Sequence, residues 1–191
     1  MTKNVVHSIR KAIRDTIGDG DFALHEPFFF GNEKKYLLEC IDDNYVSSIG
    51  SFVDMFEKEL SEYLGVKHVI LTNNGTSALH SSLIVAGVKE NDEVIVPSLT
   101  FVATSNAVLY CNAIPHFADS EISTLGIDTK NLRQYLKSEA VYKNNMLLNK
   151  FTGNHIKAIL PVHTFGHPCN IDEVIEIAKE YNLIVIEDAA E

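Results

Sequence analysis

The sequence predicts an α/β fold, a mainly parallel open sheet with helices on both faces, preceded by a helical N-terminal extension. Three observations predict it. From Val66 onward short β-branched runs alternate with longer amphipathic stretches. Those short runs are almost continuously apolar, as expected of strands buried on both faces. Before Val66, apolar residues recur at helical spacing instead.

In chain order, Val6, Ile9, Ile13 and Ile17 mark one helix, and Phe52, Phe56, Leu60 and Leu64 mark another that Gly65 is placed to stop. Gly18, Gly20, Pro27 and Gly31 punctuate the loop between them. Strands are expected at His68 to Thr72, Glu93 to Val96, Ile114 to Ala118, Ile156 to Pro161 and Leu183 to Glu187. Helices are expected at Ser77 to Ala86, Ala103 to Tyr110, Thr129 to Lys143 and Ile171 to Tyr181. Asn170 followed three residues later by Glu173 suggests a capping box for the last of these. The strand ending at Glu187 has no helix after it to cover it, so a fragment of a longer protein is expected.

Composition narrows the function. The 191 residues include 26 acidic and 16 basic side chains, a formal charge of −10, and no cluster of Lys or Arg. Nucleic acid and anionic membrane are therefore poor partners, because both reward a basic patch. No apolar run approaches a membrane span and no signal-peptide core is present, so a cytoplasmic protein is expected. Cys40, Cys111 and Cys169 are widely spaced and read as reduced thiols.

Ligands of open α/β sheets bind beyond the carboxyl ends of the strands. The residues there are Asn73 to Ser77, Pro97 to Phe101, Asp119, His163-Thr164 and Asp188. Gly75-Thr76-Ser77 leads straight into a helix, which suits a phosphate on free backbone amides. Thr76 or Ser77 would serve equally as an ordinary helix cap. Asp188, at the rim of an apolar strand, can pair with a cationic ligand nitrogen, bind a metal or cap a helix. Neither GxxxxGK[ST] nor GxGxxG occurs, which removes P-loop hydrolysis and Rossmann dinucleotide binding. His163, His167 and Cys169 lack a second ligand pair at metal spacing, so no metal site is assigned. Phe28 to Phe30, apolar in a loop, reads as an anchor for a partner subunit or for the sheet.

Four ordered motifs, Gly75 to His80, Asp92 to Thr104, Ile159 to His163 and Ile186 to Ala190, closely resemble the DegT/DnrJ/EryC1/StrS sugar aminotransferases, fold-type I enzymes that use pyridoxal 5′-phosphate. Gly31-Asn32-Glu33, Tyr36, Val46 to Gly50 and Phe56-Glu57 further resemble the branch that aminates UDP-linked 4-keto-6-deoxyhexoses toward legionaminic acid or bacillosamine. The change of character near Val66 divides the chain into a helical segment over residues 1–65 and an α/β part over 66–191, which the resemblance makes an incomplete cofactor-binding domain. The resemblance also implies that Gly75, Thr76 and Ser77 receive the cofactor phosphate, Phe101 stacks on its ring, and Asp188 pairs with its ring nitrogen. It places His163 near the floor of the site, and Glu191 where many relatives carry Gln or His beside the cofactor's 3-oxygen.

The same resemblance implies a nucleotide-linked keto sugar and an amino-acid donor, by analogy glutamate, as substrates. It also implies a homodimer with the active site between subunits. The Schiff-base lysine is expected beyond Glu191, so the chain by itself is expected not to transaminate and carries no catalytic residue of its own. A noncatalytic binding or regulatory protein of the same fold, or a sugar dehydratase with His in place of that lysine, is the alternative reading.

Overall fold

The computed structural model describes residues 2–22 and 27–191, and these form two units, 1–65 and 66–191. The first contains α1 (Thr2–Ile17), α2 (Glu33–Asp42) and α3 (Ser51–Leu64). Val6, Ile9, Ile13 and Ile17 line one exposed side of α1. Helix α2 falls in a stretch where the sequence pattern predicts no element. Its first-turn Glu33 accepts a hydrogen bond from the Gly31 amide, and its Tyr36 packs on Phe52 of α3 with ring centroids 5.1 Å apart. Gly65 ends α3 at φ 66°, a left-handed conformation in which glycine carries no Cβ penalty. Phe28 and Phe30 stack on each other and, with Phe29, are exposed.

The second unit contains, in order, α4 (Gly75–Val85), β1 (Glu93–Pro97), α5 (Val102–Tyr110), β2 (Ile114–Ala118), α6 (Thr129–Glu139), β3 (Ala140–Lys143), β4 (Met146–Asn149), β5 (Ile156–Ile159), α7 (Ile171–Glu180) and β6 (Ile184–Val185). Four strands form a parallel sheet in the order β2-β1-β5-β6. The alternation of side chains decides what each face buries. Val94 and Val96 of β1 pack with Leu79 and Leu83 of α4 and Ala107 and Val108 of α5. Ile95 faces the other way, into Leu132 and Leu136 of α6 and Val174 and Ile177 of α7. Each fully buried aliphatic side chain contributes about 1.5–3 kcal/mol, so both helical layers are held by the same strands. This is the α/β sheet covered on both faces that the sequence predicts.

Four local expectations are corrected. His68 to Thr72 forms no strand of the sheet among the described residues, and Ile70 is 81% exposed. The helix expected to reach Lys143 stops at Glu139, where the chain turns into the β3–β4 hairpin. Asn144 and Asn145 form its two-residue loop with φ of 52° and 63°, the doubly left-handed turn that matches the twist of paired strands. The capping box at Asn170 does not form, since Asn170 makes no side-chain cap and Glu173 instead accepts from the Thr129 hydroxyl. Finally, α4 is capped by Asn74 rather than by Thr76 or Ser77.

That last cap yields a measurable expectation. Asn74 Oδ1 accepts from the Ser77 amide at 2.9 Å. Asn74→Ala should lower stability by about 1 kcal/mol, read as a lower denaturant midpoint, because the amide loses its acceptor. Asn74→Asp should retain it.

Among the described residues no helix is long and apolar enough to cross a membrane. The three cysteines are free thiols.

Candidate functional site

The carboxyl ends of the four parallel strands put a set of loops on one rim of the sheet. Strand β1 runs through Ser98 to Phe101 directly into α5, for which Phe101 is the N-terminal flanking residue in extended conformation. Its ring is 74% exposed, so the aromatic is offered to the outside instead of filling the core. Beyond β6 the chain continues as a single parallel bridge between Val162 and Asp188. The Asp188 amide donates to Pro161 O at 2.9 Å, and its carbonyl accepts from the His163 amide at 3.1 Å.

These backbone bonds fix the Asp188 carboxylate against the first turn of α5, and it is only 7% exposed. Oδ2 accepts from the Thr104 hydroxyl at 2.8 Å, while Oδ1 accepts from the Ala190 amide at 3.3 Å. Thr104 is fully buried, and its oxygen lies 2.7 Å from the Thr100 hydroxyl. Phe101 and Asp188 are thereby joined across 87 positions of sequence through one helical turn. Thr104 ends the Asp92 to Thr104 motif, and nothing in the sequence marks it for a role.

His163 lies beside Asp188 along the same rim. Its Nδ1 accepts from the Cys169 amide at 3.2 Å, which leaves the proton on Nε2 to be donated to Glu187 at 3.1 Å. Burial, with help from Glu187, pushes the Cys169 thiol above its usual range, so it is a poor nucleophile. The loop after His163 is tied back to the β1 loop by Thr164, whose hydroxyl donates to Leu99 O at 3.4 Å.

The expected phosphate end stands on the neighbouring helix. Gly75 to Ser77 open α4, which packs on α5 over the same face of the sheet. A Cβ at Gly75 would meet nothing within 4 Å, so the helix end is open. The Ser77 amide is taken by Asn74, and among the described residues no hydrogen bond joins Thr76 or Ser77 directly to Phe101 or Asp188. Glu191 is exposed, and its carbonyl would lie 3.3 Å from a Cβ at Gly166, so that main chain, not its carboxylate, makes the close contact.

Residues 30–191 match the DegT/DnrJ/EryC1/StrS aminotransferase family. The chain belongs to that family. A protein named GDP-perosamine synthase from Caulobacter vibrioides is 43% identical over 165 residues, covering 86% of this chain and 40% of the relative. The putative pyridoxal phosphate-dependent aminotransferase EpsN of Bacillus subtilis is 36% identical over 88% of this chain and 41% of its own length. A crystal structure of a DegT DnrJ EryC1 StrS aminotransferase from Brucella abortus superposes with a TM-score of 0.73 at 32% identity, over 82% of this chain and 39% of that one. The chain thus spans about 40% of the length of the family members it matches.

Proposed function

We propose that residues 66–191 form the cofactor-binding part of a pyridoxal 5′-phosphate-dependent aminotransferase acting on a nucleotide-linked keto sugar, with an amino acid such as glutamate as donor. The observation that carries this is the buried Asp188 carboxylate, held from below by Thr104 at the strand ends while the adjacent Phe101 ring stands exposed. The donor set fits the cofactor's three faces. The open start of α4, with Gly75, Thr76 and the hydroxyl of Ser77, suits its phosphate. Phe101 suits the flat of its ring, and Asp188 suits a protonated ring nitrogen. His163 and Glu191 belong to the same proposed site, His163 held between the Cys169 amide and the Glu187 carboxylate.

When bound, the cofactor supplies an electron-withdrawing ring that stabilises negative charge at the amino-acid carbon. The chain's own residues bind and orient. Asp188 would present its carboxylate to the ring nitrogen, and Phe101 would restrict the ring's tilt. Transfer also needs an amine that carries the cofactor and moves a proton. Lys150 is spent on the Ser138 carbonyl, and Lys157 lies within β5 toward its start, away from the strand ends. This supports the reading that the 191 residues alone bind without transaminating. A protein containing the remaining length of its relatives would act as a homodimer.

The 43% identity to a GDP-perosamine synthase favours a GDP-linked substrate over the UDP carrier expected from the N-terminal motifs. Asp188→Asn should weaken binding of pyridoxal phosphate to the chain about 10-fold, measured by titration of the cofactor's absorbance, because the ring nitrogen loses its anionic partner. Unchanged affinity would refute the assigned role. Amination assays of a longer form with GDP- and UDP-linked 4-keto-6-deoxyhexoses would decide the carrier.

A further inference from the structure

We infer that Thr104 is a positioning residue for the cofactor, acting through Asp188, with Thr100 setting the direction of its hydroxyl; this rests on the cofactor reading above. A hydroxyl has one proton to give. The carboxylate of Asp188 accepts, so Thr104 donates to Oδ2, and its oxygen is then left to receive from Thr100. The chain of bonds runs in one sense, from Thr100 to Thr104 to Asp188.

This arrangement fixes the rotation of the carboxylate, because Oδ2 is held by Thr104 while Oδ1 is held by the Ala190 amide. A buried acid that is to stay aimed at a ring nitrogen needs that restraint. Thr104 is fully buried on the first turn of α5, three residues after Phe101, so the helix that presents the stacking ring also holds the acid. Of the two hydroxyls in the first turn of α5, Thr104 and Ser105, only that of Thr104 belongs to a fully buried residue. Val102, Ala103 and Val108 of the same helix are apolar, and the buried Val108 and Ala107 pack on the sheet.

The test compares two ligands that differ only at the ring nitrogen: pyridoxamine phosphate and its 1-deaza analogue, in which a C–H replaces that nitrogen. Thr104→Val keeps the shape and removes the hydroxyl; Thr104→Ser keeps the hydroxyl. In the Val variant, affinity for pyridoxamine phosphate should fall about 10-fold while affinity for the deaza analogue stays the same. The Ser variant should restore the loss. Thr100→Val should produce a smaller loss of the same kind, and Thr104→Val added to Asp188→Asn should have no further effect.

Equal losses for both ligands would overturn the inference, because a purely structural role would not distinguish the ring atoms. So would a full loss in the Ser variant. Failure of the unsubstituted chain to bind either ligand would overturn the cofactor reading itself and this inference with it. Circular dichroism melts of each variant establish that the compared proteins are folded.

Discussion

Glu93→Ala is expected to lower the stability of the 66–191 unit by about 3 kcal/mol, more than any other polar substitution in it. Glu93 is 1% exposed at the start of β1, on the side that carries Ile95. Its carboxylate accepts from His116 Nδ1 at 2.7 Å, from Asn149 Nδ2 at 2.9 Å and from the Thr152 hydroxyl at 2.5 Å. Removing it leaves three donors facing a void. Burial alone would raise its pKa, yet the bonds from Asn149, Thr152 and His116 outweigh burial and hold the group below the usual carboxylate value.

The sign of the pH dependence follows. A carboxylate with a depressed native pKa stabilises fully above the unfolded value, near 4.5, and loses that contribution as pH falls through the native value. The gap between the natural chain and Glu93→Ala in urea unfolding should therefore be widest near neutral pH and shrink below about pH 4.5. A gap that widens on acidification would contradict the arrangement. Tyr135 faces the same cluster, with its ring edge-on to His116 at 5.0 Å, and burial together with Glu93 raises its hydroxyl pKa. It titrates far above the range in question.

The second large effect is expected at Gly126. A Cβ there would lie 2.4 Å from Cys169 Cβ and 3.3 Å from Cys169 Cα. Both atoms belong to or adjoin the backbone, so no rotamer change relieves the clash. Gly126→Ala should cost about 2 kcal/mol by overpacking, seen as a fall in Tm of roughly 4–8 °C. The consequence extends to the site. The Cys169 amide holds His163 Nδ1, so displacing Cys169 should also free the imidazole, visible as altered His163 resonances in NMR spectra. A melting temperature within a degree of the natural chain would show that the loop yields without strain. That loop is otherwise well anchored: hydroxyl and amide donors of Ser123 and Thr124 push the Glu121 carboxyl down to about 2.

What was legible in the sequence follows from what each signal depends on. Strands β1, β2, β5 and β6 read directly from their apolar runs, which are buried in the central β1 and β5 and half-buried at the edges β2 and β6, and Phe101 and Asp188 follow from the loops after them as rim residues. His68 to Thr72 has the same composition without the ladder. β-propensity describes a side chain's fitness for a pleated surface and cannot supply the neighbouring strand. The Asn144-Asn145 turn of the β3–β4 hairpin lies between Lys143 and Met146, and it is hidden in the sequence because the charged stretch before it continues the helical rhythm of α6. Thr104 gave no signal in sequence. Only the fold brings a helix hydroxyl to an acid 84 positions away.

The two buried carboxylates of this domain stand at opposite poles of one sheet. Glu93 opens β1 and is tied to the hairpin side, while Asp188 follows β6 among the rim loops. Under the proposed function, tolerance to acid and recognition of a ligand would therefore rest on separate groups with no hydrogen-bond partner in common. A descendant of this protein adapting to a sourer environment can rework one pole and leave the chemistry of the other alone.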